Sequence, residues 1–331
     1  MAQLSLIEEV AKYKKDSHMK EKCIKNLQPG DQVANFLVVV KEIKKGKTSQ
    51  NKDFIDVVLG DRTGEIVGKI WEDNLANCDQ FEVGQIISLG GKVNLFKDKP
   101  QLIISYLQKE NNADQADFLP VSEQDIEVLF KSIQKHVDDL ENDFLKKLAK
   151  VFFKDSAFVE KFKHAPAAER LHHAYVGGYV EHISEMLALA DTLCEKYPRI
   201  DKDLLIIGVI FHDIGKLEEL GLNSTIYRTI AGSLVGHLIL GALSIDKAID
   251  SIKDFPKLLR TKVMHLIASH HGKIEFGSPI LPQTREAVAL CQLDDLSTKV
   301  NVADKAIAAN QSNDADFTDK IFALDTKLFL K

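Results

Sequence analysis

The chain has 331 residues, 45% of them hydrophobic, which is room for two domains or one large one with sizeable cores. Its longest aliphatic and aromatic run, Leu204 to Phe211, is far short of the roughly 20 residues that a membrane-spanning helix needs. Met1 to Val10 lacks the charged-then-apolar order of a signal peptide, so a cytoplasmic protein with no membrane partner is expected. The net charge of −6 argues against bulk attraction to a polyanion. That charge is uneven: residues 1–110 hold 17 Lys and Arg against 16 Asp and Glu, and the remainder holds 26 against 33. Any polyanion contact then falls to local basic loops or to bound cations. Cys23, Cys78, Cys194 and Cys291 form no Cys-x-x-Cys pair and read as free thiols.

Residues 1–25 read as a short amphipathic helix with Leu4, Ile7, Val10 and Ala11 on one face. From Asp31 the apolar period becomes two. Gln32 to Ile43, Phe54 to Gly60, Glu65 to Trp71, Gln85 to Phe96 and Pro100 to Leu107 are expected strands, with a helical stretch near Asn74 to Cys78. Asp61-Arg62-Thr63-Gly64 is a hairpin turn, and Lys97-Asp98-Lys99 makes a second. Five such strands over residues 26–110 fit a small Greek-key barrel of the oligonucleotide-binding (OB) type. Residues 111–122 read as a polar linker. Ile126, Leu129, Phe130, Ile133 and Val137 then open a helical period that holds to about residue 311, leaving 312–331 as a tail. The expected chain is multi-domain α and β: a five-stranded OB-type barrel followed by an all-α domain over 123–311.

The helical part carries the chemistry. His212-Asp213, in Phe211-His212-Asp213-Ile214-Gly215-Lys216, directly follows the apolar run. His182 lies upstream; His237, His270-His271 and Asp294 lie downstream. Histidine nitrogens and carboxylate oxygens without cysteine suit a divalent ion that activates water, so a metal-dependent phosphohydrolase is expected. Gly215 allows a tight exit from the helix, and Lys216 places a cation where a phosphate oxygen can sit.

The order His182, His212-Asp213, Asp294 resembles the HD superfamily of metal-dependent phosphohydrolases. Three stretches narrow the likeness: His172-His173-Ala174-Tyr175-Val176-Gly177-Gly178-Tyr179-Val180-Glu181-His182; Gly236-His237-Leu238; and Ser269-His270-His271-Gly272 with Glu275, Gly277-Ser278-Pro279 and Glu286-Ala287. With a preceding OB barrel, this set is similar to the YhaM-type 3′→5′ exoribonucleases over about residues 26–310. The resemblance implies core ligands His182, His212, Asp213 and Asp294. It adds His237, His270 and His271 for a second ion bridged by Asp213. It implies manganese first, with cobalt, iron(II) or magnesium as alternatives. Asp294-Asp295-Leu296-Ser297 departs from the expected Asp-Asn-Leu-Asp, which makes Asp295 a rival ligand and leaves Ser297 without the role of the second Asp.

The expected catalytic set is Asp213, Lys216, His237 and His271, the two histidines either as ligands or in proton transfer. His173 and Tyr175 are expected to border the substrate pocket with Lys216. On the barrel, Lys41 to Lys52 reads as a loop with five lysines and one acid, so Lys44, Lys45 and Lys47, with Trp71, are the candidate substrate contacts. The expected partner is single-stranded RNA, with single-stranded DNA as the alternative; the oligomeric state is left open. Two other functions compete: an HD-type nucleotidase or cyclic-nucleotide phosphodiesterase, and an OB-fold binding protein with a silent metal site.

Overall fold

The structure, a computed structural model, describes residues 23–97, 99–310 and 315–331. Most of the expected N-terminal helix therefore lies outside the described residues; Ile24–Asn26 form one 3-10 turn. The chain divides into two units. One runs through Val121 and takes in Leu222–Tyr227; the other is Ser122–Gly221 with Arg228 onward.

In the first unit, β1 (Gln32–Lys47), β2 (Asp53–Asp61), β3 (Gly64–Trp71), β4 (Ile86–Phe96) and β5 (Lys99–Lys109) close a barrel in the order β1-β2-β3-β5-β4. Only β3 and β5 pair in parallel. This is the OB strand order, and a single helical turn, α1 (Glu72–Leu75), lies between β3 and β4. The period-two pattern explains the core: Ile55, Val57 and Leu59 of β2 alternate inward, while Phe54, Asp56 and Val58 face out. The β2–β3 turn is fixed by Asp61, whose Oδ1 accepts the Thr63 and Gly64 amides at 2.7 and 3.1 Å.

Two expectations need correction here. Lys44, Lys45 and Lys47 are not in a loop; β1 runs on to Lys47, paired through Gly46 and Lys47 with Phe54 and Asp53, and the loop is only residues 48–52. Linker residues Phe118 and Leu119 are buried, Phe118 against Val39 and Ile86, so this segment packs on its barrel rather than floating as a polar tether.

The second unit is built on α2 (Ile126–Asp138), α3 (Asp143–Phe153), α4 (Ser156–His164), α5 (Gly178–Lys196), α6 (Lys202–Phe211), α7 (Lys216–Glu219), α8 (Ile230–Leu234), α9 (His237–Asp250), α10 (Lys257–Ser269) and α11 (Arg285–Ala308). Side chains of Asp125, Asn142, Asp155 and Asp201 cap four of them by accepting first-turn amides. α6 is apolar all round and buried from Leu204 to Phe211, as a helix through the middle of a core must be. The all-helical expectation for 123–311 missed one hairpin, β6 (Leu220–Leu222) with β7 (Ile226–Arg228), of which Leu222–Tyr227 belongs to the first unit. Its turn is made by Asn223, whose side chain accepts the Thr225 amide at 2.9 Å. No described helix is long and apolar enough to cross a membrane, and the four cysteines are free.

Candidate metal centre

The buried helix α6 delivers His212 and Asp213 at its C-terminal end, in the interior of the helical unit. His182 comes from the second turn of α5, His237 from the first residue of α9, His270 and His271 from the end of α10, and Asp294 from α11. Gly215 lets α9 come close: a Cβ there would meet the His237 carbonyl oxygen at 2.0 Å.

Asp213 is the hub. Its Oδ1 lies 3.3 Å from His270 Nε2 and 3.4 Å from His237 Nε2. Its Oδ2 lies 3.3 Å from His212 Nε2 and 2.5 Å from Lys216 Nζ. Asp294 Oδ1 is 3.3 Å from His182 Nε2 and 3.9 Å from His212 Nε2. His237 and His271 face each other, Nε2 to Nε2, at 3.1 Å. The ligand atoms form overlapping groups: His182, His212 and Asp213; His212, His270 and Asp294; and Asp213, His237, His270 and His271.

The opposite edge of each ring decides what these nitrogens are. Nδ1 of His212 and His270 bonds a main-chain carbonyl, of Val209 at 2.9 Å and Ile267 at 2.8 Å. His271 Nδ1 does the same to Phe276 at 2.7 Å, and His237 Nδ1 meets the Glu219 carboxylate at 2.8 Å. His182 Nδ1 is 3.0 Å from the Ser297 hydroxyl, which donates to Glu185 at 2.8 Å. Carbonyls and carboxylates only accept, so each Nδ1 carries the proton and each Nε2 presents a lone pair inward. Nε2 of His182, His212 and His270, and Oδ1 of Asp213, are buried with no hydrogen-bond partner among the described residues. Converging lone pairs with no donor between them repel unless a cation sits among them. The all-nitrogen-and-oxygen set fits a divalent transition ion.

The electrostatics agree. Burial alone would raise the Asp213 carboxyl, but Lys216 and His212 override it and hold it well below the usual carboxylate range. Asp294 is likewise lowered, its burial outweighed by the neighbouring His182 and His212. Burial lowers His182 and His270, and brings His271 down to about 4. His212 alone is raised, because Asp213 outweighs its burial.

All seven residues expected as ligands meet in this centre. Lys216 lies against Asp213, its side chain mostly buried. Asp295 is the one rival that does not: it is exposed and paired with Lys299 at 2.7 Å. His173 needs correction as a substrate contact. It is fully buried, and its ring nitrogens face His172, Glu185 and Asn301, so nothing is left to meet a substrate. Tyr175 remains half-buried under Lys305, whose Nζ is 4.9 Å from the ring centre. Glu286, part of the family-like pattern, accepts the Asp201 amide at 2.9 Å and holds up the start of α6. Two functional neighbours carry no sequence signal, Glu219 and Glu185; Ser297, which the sequence left without the role of the second Asp, bridges His182 and Glu185. No sequence spacing signals them, because each reaches its histidine only across the folded core.

On the barrel, Trp71 is 39% exposed and stands 6.0 Å from the Phe54 ring. Lys69 lies over both rings, at 3.8 and 4.7 Å, held by Asp56 at 2.7 Å. Strand register puts Lys44 on this same outward face, opposite Asp56; Lys45 and Lys47 point the other way, and Lys47 pairs with Asp53 at 2.8 Å.

Residues 179–299 match the HD domain family. The chain shows a partial likeness to the second OB-fold domain of replication protein A from Methanococcus maripaludis, at 17% identity and a TM-score of 0.22 over 28% of this chain and 96% of that one. A replication protein A heterotrimer bound to single-stranded DNA gives 15% identity and a TM-score of 0.21, over 29% of this chain and 72% of that one. The 3′-5′ exoribonuclease YhaM of Oceanobacillus iheyensis is 34% identical over 307 residues, 91% of this chain and 94% of that protein. With that identity extending over 91% of this chain, the chain belongs to the YhaM family of 3′-5′ exoribonucleases.

Proposed function

We propose that the chain is a metal-dependent 3′-5′ exoribonuclease of the cytoplasm, holding two divalent ions, manganese first, and removing nucleotides from single-stranded RNA. The observation that carries the reading is the inward convergence of five histidine Nε2 atoms on Asp213 and Asp294, with the protons of all five rings committed outward. The relative from O. iheyensis, an exoribonuclease, supports choosing RNA over small nucleotides.

His182, His212, Asp213 and Asp294 would hold one ion; His237, His270 and His271 the other, with Asp213 offering one oxygen to each side. Ions bound there supply a water of lowered pKa and positive charge against the phosphoryl oxygens. The protein does the rest. Lys216 keeps Asp213 ionised and brings a further cation to the phosphate. Glu219 holds His237 with its proton on Nδ1, so that ring can accept but not donate at Nε2. Trp71, Phe54, Lys69 and Lys44 offer the strand a stacking and charged face on the barrel.

The test is end dependence. Linear RNA and a covalently closed circle of the same sequence are incubated with manganese-loaded enzyme and with chelator-treated enzyme. The linear strand alone should be shortened, and only with metal. Cleavage of the circle would replace this reading with an endonuclease.

A further inference from the structure

The five inward-facing histidines are not held alike. Four have Nδ1 partners that can only accept: three carbonyls and the Glu219 carboxylate. His182 is the exception. Its partner is the Ser297 hydroxyl, at 3.0 Å, and a hydroxyl can donate as readily as accept. Were Ser297 to donate, the His182 proton would move to Nε2 and close that ligand position, 3.3 Å from Asp294.

What prevents this is Glu185. Its Oε2 takes the Ser297 proton at 2.8 Å, leaving the hydroxyl oxygen free only to accept from His182. Its Oε1 lies 3.3 Å from His173 Nε2. Glu185 sits one turn beyond His182 on α5, and its side chain is 43% exposed.

We propose that Glu185 is a positioning residue that, through Ser297, fixes His182 in its metal-binding tautomer. The inference rests on the reading of this cluster as a metal centre. It gives Ser297 a role that its replacement of a carboxylate had left open: hydroxyl and Glu185 together present His182 with an obligatory acceptor. Such partners behind a ligand typically change metal affinity by about 10–100-fold.

The test is a titration of the full chain with Co2+, followed by visible absorption, for the wild type, Glu185→Gln, Ser297→Ala and the double variant. A Gln amide at 185 can donate as well as accept, so Ser297 no longer faces an obligatory acceptor, and E185Q should bind Co2+ about 10–100-fold more weakly in the His182 position. The double variant should bind no more weakly than the worse single variant, because both act through one relay. Thermal unfolding of each metal-free variant, matched to wild type, shows that the fold is intact; S297A, a small change, keeps the test open if E185Q unfolds. Wild-type affinity in E185Q, or losses that simply add in the double variant, would overturn the inference. Failure of the wild type to bind Co2+ would instead overturn the metal-centre reading beneath it.

Discussion

His237 and His271 face each other across 3.1 Å, Nε2 to Nε2, while their Nδ1 protons are given to Glu219 and to the Phe276 carbonyl. Two lone pairs at that separation repel, and a cation between them removes the repulsion. Metal binding should therefore stabilise the protein strongly. At 100 times the dissociation constant, linkage contributes about 2.7 kcal/mol. Thermal unfolding with manganese and with excess chelator measures it; the midpoint should rise with metal, and an unchanged midpoint would count against a centre that needs an ion.

The metal-free protein should lose stability on acidification. Burial lowers His271 to about 4 and His172 to about 2, from 6.5. A group with a lowered folded value contributes stability that is complete above pH 6.5 and falls as the pH drops below it. For His271 the loss is spread between 6.5 and about 4; His182 and His270 act in the same direction. His212 opposes them, since it is raised by Asp213 against its burial and favours the fold at low pH. With four groups against one, the denaturant midpoint of chelated protein should fall from pH 7 to pH 5.

Lys216 should matter for rate rather than for metal. Its Nζ is 2.5 Å from Asp213 Oδ2, where it competes with an ion for the same oxygen. Lys216→Met should lower kcat on the order of 100-fold, by losing a cation near the phosphoryl group. Metal affinity should hold or rise. A drop in Co2+ affinity instead would place Lys216 among the structural supports of the site.

The barrel face should govern long substrates only. Replacing Trp71 by Ala should weaken single-stranded RNA binding by about 1–3 kcal/mol, the cost of one stacked base. Fluorescence anisotropy in an Asp213→Ala background isolates binding. Dinucleotide hydrolysis by the Trp71→Ala single variant should match wild type; equal losses on both substrates would remove Trp71 from the binding face.

Much of this was legible in the sequence, for physical reasons. The all-apolar run Leu204 to Phe211 had to be buried, so the His-Asp pair that follows it had to emerge inside the protein. The period-two runs of the barrel match the burial of Ile55, Val57 and Leu59. The end of β1 reads as a loop in the sequence because its overhang is solvated on both faces, and Lys44, Lys45 and Lys47 erase the alternation that marks a strand. His173 looked like a pocket residue because it stands in a His-rich stretch; only the fold shows it turned toward Glu185 and Asn301. Glu185 and Glu219 are invisible in the sequence as partners of the histidines, and Ser297 stands out there only as a departure from the family pattern. Their roles depend on which ring edge they meet, and that is set by helix packing, not by spacing along the chain.

The most direct measurement uses 5′-labelled single-stranded RNA and DNA of equal sequence, with manganese, on wild type and Asp213→Ala. The expected result is a ladder shortening from the 3′ end of the RNA, lost in the variant while its circular dichroism stays native. Internal cuts, or equal shortening by the variant, would contradict a 3′-5′ exoribonuclease centred on Asp213.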